Sequence, residues 1–424
     1  MANRVVVTGL GIVAPNGVGI PMFIEAIKNG RSGIKYHSQL QDLQFSCQIA
    51  GRPELSTELI SSCFTELELR NFNSEGILYG IIAGIEAWKN AGLSLEREED
   101  PDWDSGTIFG AGTSGIEKFR EAIYKIDEKQ VRKLGSNAVM QTMASGVSAY
   151  LGGKLGLGNQ VSTNSSACTT GAESVLIAFE RIQSGKAKRM LAGSTSDGGP
   201  YIWAGFDAMK VCTYKHNETP ERGSRPMSLS ASGFVPACGA GALLLESLDS
   251  AVERGAVIYA EVLGGHINSG GQRGTGTMTA PNSKAVQNCI SSALKNTGLH
   301  ADQIDVINGH LTATIMDSTE IRNWCTALGR SGEHFPYINA LKGMTGHGLS
   351  ASGSMECVAS VLQIAEGFLF PNINCEDLHP DIAAQIDPQK IPLHYHPHPI
   401  EYLAKASFGF GDVNACIIFK KYRS

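Results

Sequence analysis

The 424-residue sequence predicts an α/β protein in which helices cover both faces of the sheets. Its candidate strands are unbroken apolar runs rather than alternating ones, and amphipathic helices separate them, as in sheets that are buried on both sides. The two halves of the chain also echo each other, because 164–175 and 342–358 each place a polar loop before a helix rich in small residues. No Pro- or Ser-rich linker divides them, so we expect one fused body with halves over 1–255 and 256–424.

The elements of the first half follow from these runs in order. Arg4–Gly11 is an apolar segment that predicts a buried strand ending in a glycine turn. Residues 73–91 predict a buried helix, because four large apolar side chains share one face: Ile77, Ile81, Ile85 and Trp88. Strands followed by turns are predicted over 105–115 and 188–197, and a strand followed by a short helix over 241–255.

A second set of the same elements begins near Val257. Residues 258–271 predict a strand that leads into a glycine-rich loop, and 283–299 predict a helix that is stopped by a glycine. The segment 301–314 contains a strand that ends at His310.

Composition narrows the functional classes. Lys and Arg number 35 against 41 Asp and Glu, and a net charge of −6 without a basic run argues against binding nucleic acid. Charged residues make up only 18 %, which argues against disorder, and no apolar run approaches the ~18 residues needed to cross a membrane. The first residues lack the apolar core of a signal peptide, and the ten cysteines are too sparse for a disulfide scaffold. We therefore expect a cytoplasmic protein that binds neither nucleic acid nor a membrane.

Cys168 is the first candidate for chemistry. It follows a polar loop and precedes a helix, and the helical spacing of positions 168, 172, 175, 176 and 179 places its thiol on the apolar face of the first turn. Unpaired N–H groups and the helix dipole at that end favour a thiolate and a nearby oxyanion. Buried cysteines commonly serve as small apolar side chains, so this setting alone leaves both interpretations open.

Two histidines lie in similar settings. His310 closes a predicted buried strand and precedes hydroxyl residues, and His347 lies among the glycines of 342–348. The carboxyl end of a buried strand is where α/β proteins place ligands. Each is a candidate for the site, although a lone histidine is commonly structural.

Two further patterns are weaker. Three histidines at a spacing of two could share one strand face: His394, His396 and His398. Neighbouring prolines indicate an irregular edge, so we predict no metal site there. Gly9 and Gly11 follow a strand as in dinucleotide-binding loops, yet no acidic residue lies over 27–41, where a ribose ligand would be expected. We predict that these glycines form turns.

Five motifs stand in register along the chain: VVVTGLG near the start, SACTTGA around Cys168, the HxTxT run at His310, KGMTGH at 342–347 and SFGFGDVNA at 407–415. Together they make the sequence resemble the β-ketoacyl-acyl carrier protein synthases, the condensing enzymes of fatty acid and polyketide synthesis. The resemblance covers essentially the whole chain and is strongest to the ketosynthase (alpha) subunit of a type II polyketide synthase. It implies the thiolase fold, in which two duplicated βαβαβαββ halves form a five-layered αβαβα sandwich, usually dimeric.

The resemblance also implies roles for the matching residues. Cys168 matches the nucleophile, and His310 and His347 match the two catalytic histidines. Lys342 matches a lysine that orders the site, and two glutamates fall near family positions that support this lysine and the nearby loop: Glu320 and Glu356.

The same resemblance implies how the substrate is held. Phe408 matches the gate of the acyl pocket, and its backbone N–H with that of Cys168 would form the oxyanion hole. Three further residues would line the substrate site: Thr312, Thr314 and Phe410. An acyl chain would pass to Cys168, and the decarboxylation of a malonyl thioester would supply the carbanion that extends it. This chemistry requires no cofactor and no metal.

Some positions depart from the family pattern. Leu311 stands where a glycine normally follows the first histidine, and the segment to Glu320 is one residue short, so Asp317 is not expected to superpose on the family aspartate. Asp412 and Val413 replace a Gly-Thr pair. These changes favour a specialised polyketide or polyene pathway over the alternative, a housekeeping enzyme that elongates fatty acid chains.

The implied partners are acyl carrier proteins loaded with acyl and malonyl groups, and either a second copy of the chain or a chain-length-factor-like subunit. A non-catalytic, chain-length-factor-like role is a further alternative, and Cys168 argues against it. A thiolase would need a Cys-x-Gly run near the carboxyl end, which is missing at Cys416. Because the net charge does not complement an acidic carrier protein, we expect a local basic patch: Lys210, Arg225 and Arg273.

Overall fold

The computed structural model describes residues 2–96 and 99–423, and its main strands and helices lie where the apolar runs predict them. The strands are Val5–Ala14 (β1), Gly17–Val18 (β2), Ile34–Tyr36 (β3), Ile49–Gly51 (β4), Ser105–Ala111 (β5), Val161–Ser162 (β6), Arg189–Ser196 (β7), Gly239–Ser247 (β8), Ala260–Ser269 (β9), Val306–Asn308 (β10), Tyr337–Asn339 (β11), Phe368–Leu369 (β12), His396–Pro397 (β13), Tyr402–Gly409 (β14) and Val413–Lys420 (β15). The helices are Ile20–Lys28 (α1), Ser38–Asp42 (α2), Thr57–Cys63 (α3), Glu66–Leu69 (α4), Glu75–Asn90 (α5), Ile116–Asp127 (α6), Ala138–Thr142 (α7), Gly146–Leu155 (α8), Thr170–Gln183 (α9), Pro200–Ala208 (α10), Leu248–Glu253 (α11), Ser283–Thr297 (α12), Asp317–Leu328 (α13), Lys342–Thr345 (α14), Ser352–Glu366 (α15) and Pro380–Ala383 (α16). Within those two ranges, none of the helices combines the length and the apolarity that a bilayer-spanning helix requires.

The main sheet repeats one strand order twice. On one side the order is β1, β8, β7, β5, β6, and on the other side it is β9, β15, β14, β10, β11. In each set the first two pairings are antiparallel and the last two are parallel. A short antiparallel pairing of β1 with β9 over Val5–Val7 joins the two sets. This repeat confirms the duplication that the echo between the halves predicts, and the division at 255/256 stays a prediction.

Strand β1 shows that the prediction of a glycine turn at its end was wrong. The strand continues through Gly9 and Gly11 to Ala14. Helix α5 crosses it so closely that a Cβ on Gly11 would lie 1.9 Å from the Ala83 carbonyl oxygen, and a Cβ on Gly9 would lie 2.1 Å from that of Ala87. These glycines therefore allow a helix to pack against the strand, rather than forming a turn or a nucleotide loop.

Helices form three layers around the two strand sets. Helices α5 and α8 cover the outer face of the first set, and α12 and α13 cover that of the second. Helices α9 and α15 contact strands of both sets from the middle layer and meet at their N termini. There a Cβ on Gly171 would lie 2.2 Å from the Ser354 nitrogen, and one on Gly353 would lie 2.7 Å from the Ala172 nitrogen. The five-layered αβαβα arrangement is confirmed, and it brings the loops before α9 and α15 together.

Candidate active site

Cys168 lies in a tight turn between β6 and α9. A turn of 3-10 helix over Ala167–Thr169 precedes α9, and Ala167 has a φ of +50°, which is rare for a residue with a side chain. The Thr170 hydroxyl donates to the Ala167 carbonyl at 2.7 Å, and the Ser166 N–H donates to the same hydroxyl at 2.9 Å. These bonds hold the turn so that the half-buried thiol lines a cavity at the N terminus of α9.

The thiol meets two imidazoles in this cavity. The Cys168 Sγ and one ring nitrogen each of His310 and His347 lie within 4.8 Å of one another. The two rings have centroids 5.6 Å apart and are nearly perpendicular, at 84°. His310 follows β10 and His347 lies between α14 and α15, in the second part of the duplicated fold, whereas Cys168 precedes α9 in the first part. Both parts therefore contribute side chains to one chamber.

Hydrogen bonds fix the tautomer of both rings. The Leu349 N–H donates to His347 Nδ1 at 3.1 Å, and the Lys342 ammonium donates to His310 Nδ1 at 3.5 Å. A ring nitrogen that accepts carries no proton, so each neutral imidazole has its proton on Nε2. Burial, and then the charge of Lys342, lowers the pKa of both histidines well below the ordinary value. Each ring is therefore neutral and keeps one N–H to donate to a ligand.

The same three side chains are of the types that bind zinc. Among the residues that the structure describes, they are the only His, Cys, Asp or Glu group close enough to hold a metal ion, so His394, His396 and His398 do not converge. A metal would need the lone pairs of the two Nε2 atoms, and in the tautomers that these hydrogen bonds favour, those atoms carry protons. The hydrogen bonds thus fit a pair of donors better than a pair of metal ligands.

Lys342 supports His310 from behind. Its Nζ donates to the His310 carbonyl at 2.7 Å, to His310 Nδ1 and to the Glu356 carboxylate, so all three ammonium protons are used. The side chains of Lys342 and Glu356 are 2 % and 1 % exposed. This geometry allows Lys342 to order the His310 ring, which is the role that the resemblance implies.

Glu320 holds the backbone at His310. Its two carboxylate oxygens accept from the N–H groups of His310 and Leu311, at 2.7 Å and 2.8 Å. Leu311 has a φ of +22°, so the loop needs such support to keep its conformation. Burial raises the pKa of Glu320 to about 7.

Asp317 holds the next part of the same loop. Its carboxylate accepts from the N–H groups of Thr312 and Ala313 at 3.0 Å and 3.2 Å, and from the Met227 N–H at 2.9 Å. Ala313 also has a positive φ, +63°. The shortened segment after His310 therefore still brings Asp317 to the loop. Burial raises its pKa to about 6.

The cavity itself has a volume of about 300 Å³ and mainly apolar walls. The four residues predicted to gate it or to bind substrate all line it: Thr312, Thr314, Phe408 and Phe410. The two threonine hydroxyls are hydrogen-bonded to each other at 3.1 Å. The cavity is thus an apolar space with a few polar groups close to the thiol and the histidines.

Phe410 provides a backbone N–H close to the Cys168 sulfur. A backbone hydrogen bond from Phe410 acts to lower the pKa of the Cys168 thiol. Phe408 lies within β14 and its ring packs 6.0 Å from the His310 ring. The strand ends at Gly409, where a Cβ would lie 3.1 Å from the Cys168 nitrogen, so the chain turns past the nucleophile one residue later. The structure thus offers the Phe410 N–H as a donor beside the sulfur, while the role of Phe408 in the oxyanion hole stays a prediction.

Opposing effects act on the Cys168 thiol. Burial raises its pKa to about 11, while the charge of Lys342 and the Phe410 N–H act in the opposite direction. The N terminus of α9 adds a further partial positive charge. The thiol is therefore protonated at neutral pH, and its reaction as a thiolate depends on these surrounding groups.

Two site residues were missed in the sequence. Lys405 is fully buried within β14 and its Nζ lies 2.8 Å from the Glu356 carboxylate. A lysine inside an apolar strand is the signal that could have revealed it. Asp412, noted only as a departure, accepts from the N–H groups of Gln272 and Asn282 at 2.9 Å and 2.8 Å. It thereby ties the end of β14 to the 270–282 loop, part of which lines the cavity.

The expected basic patch needs one correction. Lys210 and Arg273 are exposed, as a docking surface requires. Arg225 is only 5 % exposed, and its guanidinium pairs with Glu376 and Asp377 at 2.9 Å each. Its charge is satisfied inside the protein, so Arg225 does not belong to a surface patch.

Comparisons with known proteins agree with this site. The sequence matches the family described as beta-ketoacyl synthase, N-terminal domain, over residues 2–251, and the corresponding C-terminal domain over 259–376. It is 31 % identical over 425 residues to 3-oxoacyl-[acyl-carrier-protein] synthase 1 of Escherichia coli strain K12, covering 99 % of this chain and 100 % of that protein.

Two solved structures are also similar over the full length. One is a ketosynthase bound to the hexaketide in complex with a type II polyketide synthase acyl-carrier protein, with a TM-score of 0.87, 28 % identity and 100 % coverage of both chains. The other is the ishigamide ketosynthase/chain length factor, with a TM-score of 0.87, 25 % identity and 100 % coverage of both chains.

Proposed function

The chain belongs to the beta-ketoacyl synthase family, whose members are condensing enzymes of the acyltransferase type, and we propose that it joins a malonyl thioester to an acyl chain held on Cys168. The observation that carries this proposal is the approach of the Cys168 Sγ and one nitrogen each of His310 and His347 to within 4.8 Å. A nucleophile and two N–H donors at that spacing fit the two partial reactions of a decarboxylative condensation.

The first partial reaction loads the cysteine. The Cys168 thiol loses its proton, and the sulfur attacks the thioester carbonyl of an acyl donor. The N–H groups of Cys168 and Phe410 donate to the oxyanion that forms, because the Phe410 N–H already lies close to this sulfur. The carbonyl then re-forms, the donor thiolate leaves and takes up the proton that the Cys168 thiol lost, and the acyl chain stays on Cys168.

The second partial reaction extends the chain. A malonyl thioester loses carbon dioxide, and the electron pair of the broken C–C bond forms an enolate. The Nε2–H groups of His310 and His347 donate to the enolate oxygen, as their tautomers permit. The enolate carbon attacks the acyl-cysteine carbonyl, the C–S bond breaks and the Cys168 thiolate is released. The product is a β-ketoacyl thioester two carbons longer, and the sequence of steps needs no cofactor.

The substrate carrier and pathway are part of the proposal. We propose an acyl carrier protein as the carrier of both substrates, a type II polyketide pathway, and a dimer with a chain-length-factor-like subunit or a second copy. Two similar structures support this choice, a ketosynthase with a polyketide carrier protein and a ketosynthase/chain length factor. The departures at Leu311 and Asp412 also lie next to residues that line the cavity, Thr312 and Phe410 among them.

A second candidate is chain elongation in fatty acid synthesis. It is favoured by the 31 % identity to 3-oxoacyl-[acyl-carrier-protein] synthase 1 of Escherichia coli over nearly the whole chain. A non-catalytic, chain-length-factor-like role fits less well, since Cys168 and both histidines are present and correctly spaced.

Acylation of the intact protein tests the condensing function. The full-length chain is incubated with an acylated carrier protein and its mass is measured. We expect one acyl group on the wild type and none on Cys168→Ala. Cys63→Ala is the matched control, because Cys63 is also a partly exposed free cysteine but lies on α3, outside the cavity. An acyl group retained on Cys168→Ala contradicts the assignment.

Product analysis then separates the two pathways. The protein is supplied with malonyl carrier protein of a polyketide type, with and without a ketosynthase-like partner, and in parallel with a fatty acid carrier. The polyketide proposal expects an unreduced polyketide chain only in the first mixture. Efficient elongation of saturated acyl chains on the fatty acid carrier supports the second candidate instead.

A further inference from the structure

Strand β14 carries a second buried cation behind the active site. The Lys405 side chain is 0 % exposed, and its Nζ lies 2.8 Å from Glu356 Oε2, while Glu356 Oε1 pairs with Lys342. The hydrogen bonds of the Lys405 ammonium go to the Ser407 hydroxyl, at 3.0 Å, and to the Ala406 carbonyl. One buried carboxylate therefore joins two buried lysines, and the formal charges sum to one positive charge.

We propose that Lys405 is a positioning residue that holds Lys342 against His310 through Glu356 and whose charge keeps both active-site imidazoles neutral. The inference rests on the proposed function for its consequence in catalysis, but not for its effect on the histidines.

The positioning part follows from the way in which Glu356 is held. Each of its carboxylate oxygens faces one lysine, so the carboxylate cannot turn away from Lys342 without losing Lys405. The Lys342 ammonium donates its three hydrogen bonds to Glu356 and to two atoms of His310. Lys405 itself pairs with Asn308 in the sheet, two positions before His310. A shift of Lys405 is thus transmitted to His310 by rigid elements.

The charge part concerns the proton on the histidines. Protonation at Nδ1 would make that nitrogen a donor that faces another donor, the Lys342 ammonium at His310 and the Leu349 N–H at His347, and both hydrogen bonds would be lost. The charge of Lys405 acts against that protonation, since it lowers the pKa of both rings in addition to burial and Lys342. Each histidine ring lies near the other one. Five further titratable or charged groups surround the two rings: Cys168, Glu320, Lys342, Glu356 and Lys405.

The test replaces Lys405 by Met, which keeps most of the side-chain volume and removes the charge. Because loss of a nearby cation raises a histidine pKa, we expect NMR titration of the labelled histidines to show the midpoints of His310 and His347 moved upward by about 0.5 pH unit or more. With malonyl carrier protein, carbon dioxide release should then fall about threefold more at low pH than at neutral pH. NMR is the primary readout because Glu320, with a pKa of about 7, also titrates in this range.

A matched control separates this effect from the mere loss of a buried lysine. Lys118 is also 0 % exposed, but it lies on α6 and donates to Glu121 and to the Asn71 carbonyl. Lys118→Met should leave both histidine midpoints unchanged, and Lys405→Arg should restore much of the wild-type profile. A folded Lys405→Met protein with unchanged histidine midpoints overturns the proposal, even where carbon dioxide release proves the condensing function.

A second variant, for which the histidine midpoints should shift in the opposite direction, tests the proposal if Lys405→Met does not fold. Glu356→Gln removes the negative charge between the two lysines, so the histidine midpoints should move to lower pH. Midpoints that move upward in Glu356→Gln, or do not move, contradict the charge argument. If the wild type releases no carbon dioxide but the midpoints respond as expected, the proposed function fails and the assignment of Lys405 stands.

Discussion

Replacing Glu320 by Gln removes one of the two acceptors that shape the loop after His310. The Glu320 oxygens accept from the N–H groups of His310 and Leu311 at 2.7 Å and 2.8 Å, and a glutamine offers only one oxygen. A hydrogen bond to a charged group contributes ~1.5–3 kcal/mol, and Glu320, with a pKa of about 7, carries its charge when the assay is run above that pH. The left-handed backbone at Leu311 and Ala313, with φ of +22° and +63°, costs ~1–3 kcal/mol per residue. Losing one bond is therefore enough to let the strained loop relax and to displace His310.

A loss of ~1.5–3 kcal/mol lowers the population of the working loop by roughly 10- to 150-fold, because each 1.36 kcal/mol is a factor of ten. We expect carbon dioxide release from malonyl carrier protein to fall by that factor in Glu320→Gln. Acylation of Cys168 should fall by less than about threefold, since it uses the N–H groups of Cys168 and Phe410 rather than His310. Both partial reactions are measured on the same preparation, by carbon dioxide release and by intact mass.

Asp305→Asn is the matched control for this experiment. The Asp305 carboxylate also accepts from two consecutive backbone N–H groups, those of Glu401 and Tyr402 at 2.8 Å and 2.9 Å, but it does so through one oxygen, Oδ2, and lies at the other end of β10 from His310. An asparagine keeps one acceptor oxygen and loses the negative charge, so we expect at most a small decrease in melting temperature and unchanged carbon dioxide release. The reasoning is refuted if folded Glu320→Gln keeps carbon dioxide release within about twofold of the wild type, or if Asp305→Asn loses as much.

Two further changes test the cavity wall and the core. Asp412→Ala removes the acceptor that anchors the 270–282 loop. Alkylation of Cys168 by iodoacetamide should therefore become severalfold faster, and the KM for the acyl donor should rise. An unchanged alkylation rate contradicts the anchoring role of Asp412. Gly11→Ala should lower the free energy of unfolding by about 2 kcal/mol or more, because its Cβ would lie 1.9 Å from the Ala83 carbonyl oxygen. In urea unfolding, Gly153→Ala is the control, since nothing lies within 4 Å of its Cβ, and it should not destabilise the protein.

The fold could be predicted to the extent that its signals are local. Helical spacing located α5 and α12, and unbroken apolar runs located β5, β7 and β8, because burial on both faces shows in the sequence itself. The glycines of β1 were misinterpreted for a physical reason. A glycine that turns the chain and a glycine that admits a crossing helix look the same in sequence, and only the distant α5 decides between them. The half boundary, the dimer and the cytoplasmic location stay predictions.

The candidate site was likewise predictable only where its signals are local in the sequence. The motifs located Cys168 and the two histidines, and the structure brings them together, while their catalytic roles stay proposals. The proximity of the Phe410 N–H to the sulfur depends on where β14 ends, which Phe408 and Phe410, two aromatic residues at a spacing of two, do not reveal. The position of Lys405 in an apolar strand could have indicated a buried lysine, but not its partner, because Glu356 is distant in sequence.

The duplicated fold explains why these residues meet. In each half, a helix of the middle layer follows the third strand of its set in chain order, which is β6 in the first half and β11 in the second. Cys168 lies between β6 and α9, and His347 lies between β11 and α15. These equivalent loops can touch only because Gly171 and Gly353 let the two helix ends approach. His310 follows β10, whose counterpart β5 ends just before Gly112, and a Cβ there would lie 3.1 Å from the Ser350 hydroxyl of the loop before α15. The first half therefore supplies the cysteine and the second half both histidines, and one asymmetric chamber arises from two similar halves.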